Sequence, residues 1–238
     1  MSDAPRRSAL PPMPYRWFGV LSFALLVATQ VVGFAISPPD RDMGHLQKIM
    51  YVHIGAAWNM MIAYFIVAVS SLLYLWRGED KHDLLAASAA EVGTVLTGLT
   101  LILGSIWARP TWGVWWTWDP RVTSTAVLFL IFVGYNALRA FVDDAERRAQ
   151  WSAAVGILGA LNVPIVYMSV RWWRTLHQVQ SNPGTVDPNY VLGLRANAIA
   201  FMLVTIYFIM TRYRAAQWAR AAERESERAI MTGEVVHA

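Results

Sequence analysis

The sequence predicts an all-α integral membrane protein, a bundle of six transmembrane helices with a Trp-rich loop between helices 3 and 4. Three observations carry that prediction. Of the 238 residues, 56% are hydrophobic and 15% are charged, against about 25% charged in an ordinary soluble domain. The apolar residues are gathered into runs of 16 or more instead of being scattered at core spacings, and the mean hydropathy is +0.36. Five of the 12 tryptophans fall within the 12 residues 107–118, between the third and fourth runs. The net charge of +4 does not point to nucleic acid, because the cations lie between apolar runs and not on one soluble face. With no cysteine there is no disulfide framework, thiolate metal site or thiol redox chemistry, so a metal or redox centre in this chain must be held by histidine.

The first span, 17–36, follows Arg6, Arg7 and Arg16 and ends among small residues, like a secretory signal. Its 20-residue apolar core exceeds the roughly 7 to 15 of a cleaved signal, so an uncleaved span is expected. The second, 49–76, carries His53 five residues in, and the third, 84–108, tolerates a single Glu91. The fourth, 122–142, follows Asp119-Pro120, a cap residue with proline at the first helical position. The fifth and sixth are expected at 149–170 and 196–214; in the fourth and sixth the uncharged runs are short and borrow flanking residues whose charges snorkel. Between spans lie loops at 37–48, 109–121 and 171–195 on one face. The chain reads as one membrane domain, 1–211, with a charged helical tail, 212–238. In that tail Arg220/Glu223, Arg224/Glu227 and Glu225/Arg228 fall at helical spacing, which suits a solvated helix or a docking surface for a cytoplasmic partner. No tandem repeat or long linker divides the chain.

With the N-terminus in the cytoplasm, 13 of the 20 Lys and Arg residues fall on the cytoplasmic side. The other seven are Arg41, Lys48, Arg109, Arg121, Arg171, Arg174 and Arg195. The positive-inside rule therefore expects both termini in the cytoplasm.

An aromatic belt spreads tryptophans over many helix ends, whereas here Trp107, Trp112, Trp115, Trp116 and Trp118 sit together with Gly113, Pro110 and Pro120. Such a segment suits a large, flat, partly anionic ligand, the indoles packing on its faces and Arg109 and Arg121 each forking onto a carboxylate. Asp119 has the roles of capping the fourth helix, pairing with an arginine or contacting the ligand. Of the five histidines, His82 and His237 read as solvated and His45 stays open. His53 and His177 lie on the same side as the tryptophans, and an intramembrane histidine needs a partner or a cavity. The alternative for either alone is a hydrogen bond to a neighbouring helix. As a pair, neutral imidazoles can bind above and below a porphyrin iron.

The run Trp112-Gly-Val-Trp115-Trp116-Thr-Trp118-Asp119-Pro-Arg121 closely resembles the signature of the WWD family of haem-handling membrane proteins of cytochrome c maturation, and the length with six spans resembles its CcmC branch. Lys48-Ile-Met-Tyr51-Val-His53 and Trp172-Trp173-Arg-Thr-Leu-His177 resemble the segments that carry that family's two external histidines. The resemblance covers nearly the whole chain. It implies a bacterial inner-membrane protein holding haem b non-covalently at the periplasmic face, with His53 and His177 as axial iron ligands, Trp112, Trp115, Trp116, Trp118 and Asp119 as the binding loop, and Arg109 and Arg121 at the propionates or pairing within the loop. It further implies delivery of haem to the chaperone CcmE, beside the ABC transporter subunits CcmA and CcmB and the small membrane protein CcmD. ATP hydrolysis belongs to a partner, since the chain has no GxxxxGK[ST] phosphate loop. The expected role is haem binding and transfer without catalysis by this chain. The alternatives are a catalytic haem lyase acting on the chaperone and a non-haem-binding structural subunit of the transporter.

Overall fold

A peptide group in the hydrocarbon core has no water to bond, so a chain with these apolar runs satisfies its backbone within helices. The computed structural model describes residues 13–179 and 186–232, and nearly all of them are helical. Helix α1, Met13–Val31, continues as a π-helical turn, Val32–Ile36. A 3₁₀ turn, His45–Lys48, leads into α2, Ile49–Arg77, which is followed by α3, Asp80–Trp112, α4, Pro120–Phe141, α5, Ala145–Trp172, and α6, Pro188–Thr232. All six are long and apolar enough to cross a membrane.

The helices outrun the apolar windows of the sequence because a charged residue ends a hydropathy run without ending a helix. Helix α3 passes through Arg109 and Pro110 and stops only where Gly113 takes a left-handed φ of +79° and its N–H bonds to Arg109 O at 3.1 Å. The expected loop 109–121 is therefore shorter: residues 113–119 join α3 to α4, with Trp112 in the last turn of α3. Likewise α6 begins at Pro188, well before the expected 196, and runs unbroken into the charged tail. Its start is capped by Asp187, whose side chain accepts from Asn189 N–H at 2.9 Å.

Helices α2 and α3 form the centre of the bundle, with α4 and α5 packed on one side, α6 on the other, and α1 laid against α6. The core is filled by aromatic side chains lying on small residues. Tyr64 of α2 stacks on Phe132 of α4 at 3.8 Å between ring centroids and shares a hydrogen bond of 2.7 Å with Thr97 of α3. That fit requires Gly93, where an added Cβ would meet Tyr64 Cε1 at 2.7 Å. Asparagine amides complete the helix contacts: Asn162 donates to Ser124 O at 2.9 Å, Asn136 to Thr94 Oγ1 at 3.0 Å, and Asn59 to Ala198 O at 3.2 Å.

The start of α1 and the end of the sixth span meet: the Tyr15 hydroxyl bonds Thr211, and the Arg214 guanidinium lies 5.0 Å from the Tyr15 ring centroid. Exposed Trp17, Trp76, Phe141 and Trp151 mark this end of the bundle. Here the extension of α6 is tied to the α2–α3 connection. Arg212 pairs with Glu91, and Arg220 and Arg224 both reach Asp80, at 3.0 and 2.5 Å. Arg139 of α4 forks onto Asp83 at 2.5 and 2.9 Å. The tail pair Arg220–Glu223 forms at 3.1 Å, while Arg224 turns to α3.

Candidate functional site

The opposite end of the bundle gathers the start of α2, the end of α3, the start of α4, the end of α5 and the segments 113–119 and 173–179. His53 stands in the second turn of α2 and is 9% exposed. Its ring meets Trp107 of α3 edge to face, with centroids 5.8 Å apart. Gly104 of α3 lets this ring approach closely, since a Cβ there would come within 3.1 Å of His53 Cε1. The buried His53 Nδ1 and Trp107 Nε1 make no hydrogen bond of good geometry among the described residues, although the Thr100 backbone lies close enough to His53 to act on it. An unsatisfied buried polar atom costs about 1–3 kcal/mol, so both rings keep polar capacity that the surrounding helices do not fully use.

His177 belongs to segment 173–179 and packs edge to face on Trp112, with centroids 6.2 Å apart. Its Nδ1 lies 3.1 Å from Gln178 O. A carbonyl only accepts, so Nδ1 carries the proton and Nε2 keeps a free lone pair, the tautomer a metal ligand needs. Burial lowers the pKa of this ring, the Gln178 carbonyl opposes that, and the Arg121 charge adds to the lowering, so the imidazole is neutral at pH 7. His53 and His177 are near enough to interact electrostatically, and Arg121 is within range of both.

Asp119 does two jobs. Its Oδ1 accepts from Arg121 N–H at 3.0 Å and caps α4, with Pro120 at the first helical position. Its Oδ2 accepts from the Thr175 hydroxyl at 2.5 Å and from Leu176 N–H at 2.7 Å. Burial pushes this carboxyl up, but the hydrogen bonds from Thr175, Leu176 and Arg121 outweigh it and hold it below its ordinary value. Arg121 is also engaged, donating to Ser169 Oγ at 3.3 Å and Tyr167 O at 2.8 Å and so joining α4 to the end of α5. Arg109 bonds the Gly113 carbonyl and caps α3. Around these groups the indoles face outward: Trp115 is 60% and Trp118 80% exposed, and Trp116, Trp172 and Trp173 are also exposed.

The structure thus brings His53, His177, Trp112, Asp119 and Arg121 to one place and leaves Trp115, Trp116 and Trp118 as a rim. His45 is exposed in the 3₁₀ turn, His82 lies at the far end of the bundle, and His237 is outside the described residues. Sequence reasoning passed over two residues: Gly104, one turn before Trp107 on the same face of α3, and Thr175, two residues before His177. Among the described residues no group of three His, Asp or Glu converges to hold a bare ion.

A family model described as heme exporter protein C matches residues 3–228. The chain is 36% identical over 211 residues to the heme exporter protein C of Bradyrhizobium diazoefficiens, covering 87% of this chain and 80% of the relative. It is 34% identical over 215 residues to that of Escherichia coli K12, covering 87% of each. A putative cytochrome c biosynthesis ccmC-like mitochondrial protein of Marchantia polymorpha is 37% identical over 147 residues, 61% of each chain.

Proposed function

The chain belongs to the heme exporter protein C family, and from that premise we propose that it holds haem between His53 and His177 and hands it to the chaperone CcmE during c-type cytochrome biogenesis. The observation that carries this reading is the meeting of two imidazoles from distant parts of the chain at one end of the bundle, His53 against Trp107 and His177 against Trp112, the second with its Nε2 lone pair free. Two histidines are too few for a bare ion. They suffice for haem, whose macrocycle supplies four ligands and leaves two axial positions.

The residues then divide the work. His53 and His177 take the iron, and Trp112, Trp115, Trp116 and Trp118 cover the apolar ring. Arg121 holds its local charge at the site through its bonds to α5 and stabilises a propionate, and Arg109 serves at the loop's edge. Asp119 fixes the loop and does not touch cargo, since its oxygens already accept three hydrogen bonds. By the cation distribution the site is periplasmic and the termini are cytoplasmic, in a bacterial inner membrane. ATP-driven release is the work of the partners CcmA and CcmB, with CcmD.

The visible spectrum and haem content of the purified protein, alone and with CcmE, test this. Wild type shows a bis-imidazole spectrum, and His53→Ala and His177→Ala each lose or alter it. A wild-type protein without haem under haem-replete conditions, even with the chaperone present, overturns the reading in favour of a structural subunit.

A further inference from the structure

Segment 173–179 must aim an imidazole without the support of a helix or strand. The last backbone bond from α5 is Trp173 N–H to Ser169 O at 3.1 Å, and beyond it side chains take over. The Thr175 hydroxyl gives its hydrogen to Asp119 Oδ2 at 2.5 Å and accepts the His177 N–H at 3.0 Å. Asp119 is itself anchored to the first turn of α4 through Arg121 N–H at 3.0 Å. An unbroken chain of hydrogen bonds therefore runs from the α4 N-terminus through Asp119 and Thr175 to the backbone of His177. Only a hydroxyl of this reach can donate to the carboxylate and accept from the amide at once.

We propose that Thr175 is a positioning residue that sets the aim of the His177 ring. The proposal rests on the reading of His177 as an iron ligand. Two anchors determine where Nε2 points: Thr175 holds the His177 main chain, and the Gln178 carbonyl holds Nδ1. An imidazole ligand stands about 2 Å from its metal, so small shifts of the main chain carry the lone pair out of range. Because Asp119 ends the tryptophan segment 113–119, the same hydrogen bonds tie the close of that segment to the His177 segment.

The test compares wild type, Thr175→Val and Thr175→Ser in the full-length protein, with two readouts. The first needs no haem: amide hydrogen exchange of residues 173–179. Valine keeps the shape and removes both of the Thr175 bonds, so exchange at the His177 amide rises about tenfold or more, while serine stays close to wild type. The second is the spin state of bound haem by visible and electron paramagnetic resonance spectra. Thr175→Val shifts it from low spin toward high spin, and Thr175→Ser restores it. Unchanged exchange in the α2 core shows that the valine variant is folded. Thr175→Val with wild-type exchange and a wild-type spectrum overturns the proposal, as does raised exchange with an unchanged spectrum. If wild type binds no haem, the underlying reading of His177 fails, and the His53→Ala and His177→Ala controls reveal that by having no spectrum to lose.

Discussion

At the scale of single residues, Asp119 carries the most structural weight for its size, since one buried carboxylate closes both the start of α4 and the His177 segment. Its carboxyl is held below the ordinary value, so the stability it adds is present above its unfolded pKa, about 3.9, and is lost as pH falls through the lower folded value. Protection of the Leu176 amide against hydrogen exchange is accordingly expected to persist at pH 4 and to collapse only in more acid solution; loss already at pH 5 would contradict this. Asp119→Ala is expected to cost about 1–3 kcal/mol in unfolding titrations, because it leaves three donors without their acceptor. Gly104 makes a complementary prediction. A Cβ there would stand 3.1 Å from His53 Cε1, closer than ordinary contact, so the ring would have to shift. Gly104→Ala should therefore lower haem occupancy severalfold, read from the visible spectrum, while the melting temperature changes little. Gly104 does not declare itself in the sequence. Asp119-Pro120 is legible as a cap, but the reach of its second oxygen to Thr175, 56 positions away, is a product of folding.

At the scale of helices, hydropathy finds the six spans and misjudges where their helices stop. Arg109, Pro110 and Arg195 interrupt the apolar runs, yet α3 and α6 continue through them because the backbone bonds do not depend on side-chain polarity. The start of α6 was legible in Asp187-Pro188, the same capping pair as Asp119-Pro120, but lay hidden behind the charge of Arg195. In the charged extension of α6 the pair Arg220–Glu223 forms as its spacing suggests, and in addition Arg220 and Arg224 converge on Asp80, and Arg212 on Glu91. Exposed pairs contribute about 0–1 kcal/mol each, so the extension is held loosely and in a salt-dependent way. Asp80→Ala is expected to raise hydrogen exchange across 216–230 severalfold without changing exchange in α2, and 0.5 M salt, about three times physiological ionic strength, should mimic it in the wild type. A substitution in the core behaves differently: Gly93→Leu forces α3 away from Tyr64 and should lower the melting temperature markedly.

At the scale of the whole molecule, the chain's lack of cysteine makes its orientation directly measurable. Val114, exposed in the α3–α4 connection, and Ala229, in the α6 extension, lie at opposite ends of the bundle. Val114→Cys should react with a membrane-impermeant maleimide in whole spheroplasts, and Ala229→Cys only after lysis. The reverse pattern would place the histidines on the cytoplasmic side and defeat delivery to a periplasmic chaperone. By itself the sequence determined the six membrane helices, the identity of the histidines and tryptophans, and the cation bias, because each is written in local composition or in the spacing of neighbours. Only the tertiary structure decided that His53 and His177, 124 positions apart, share one end of the bundle, that Trp107 and Gly104 pack against the His53 ring, and that Arg109 and Arg121 are partly occupied in capping and bracing helices. The physical reason is that composition sets which surfaces leave water. Which buried polar atoms then find partners depends on helix contacts between residues far apart in the chain.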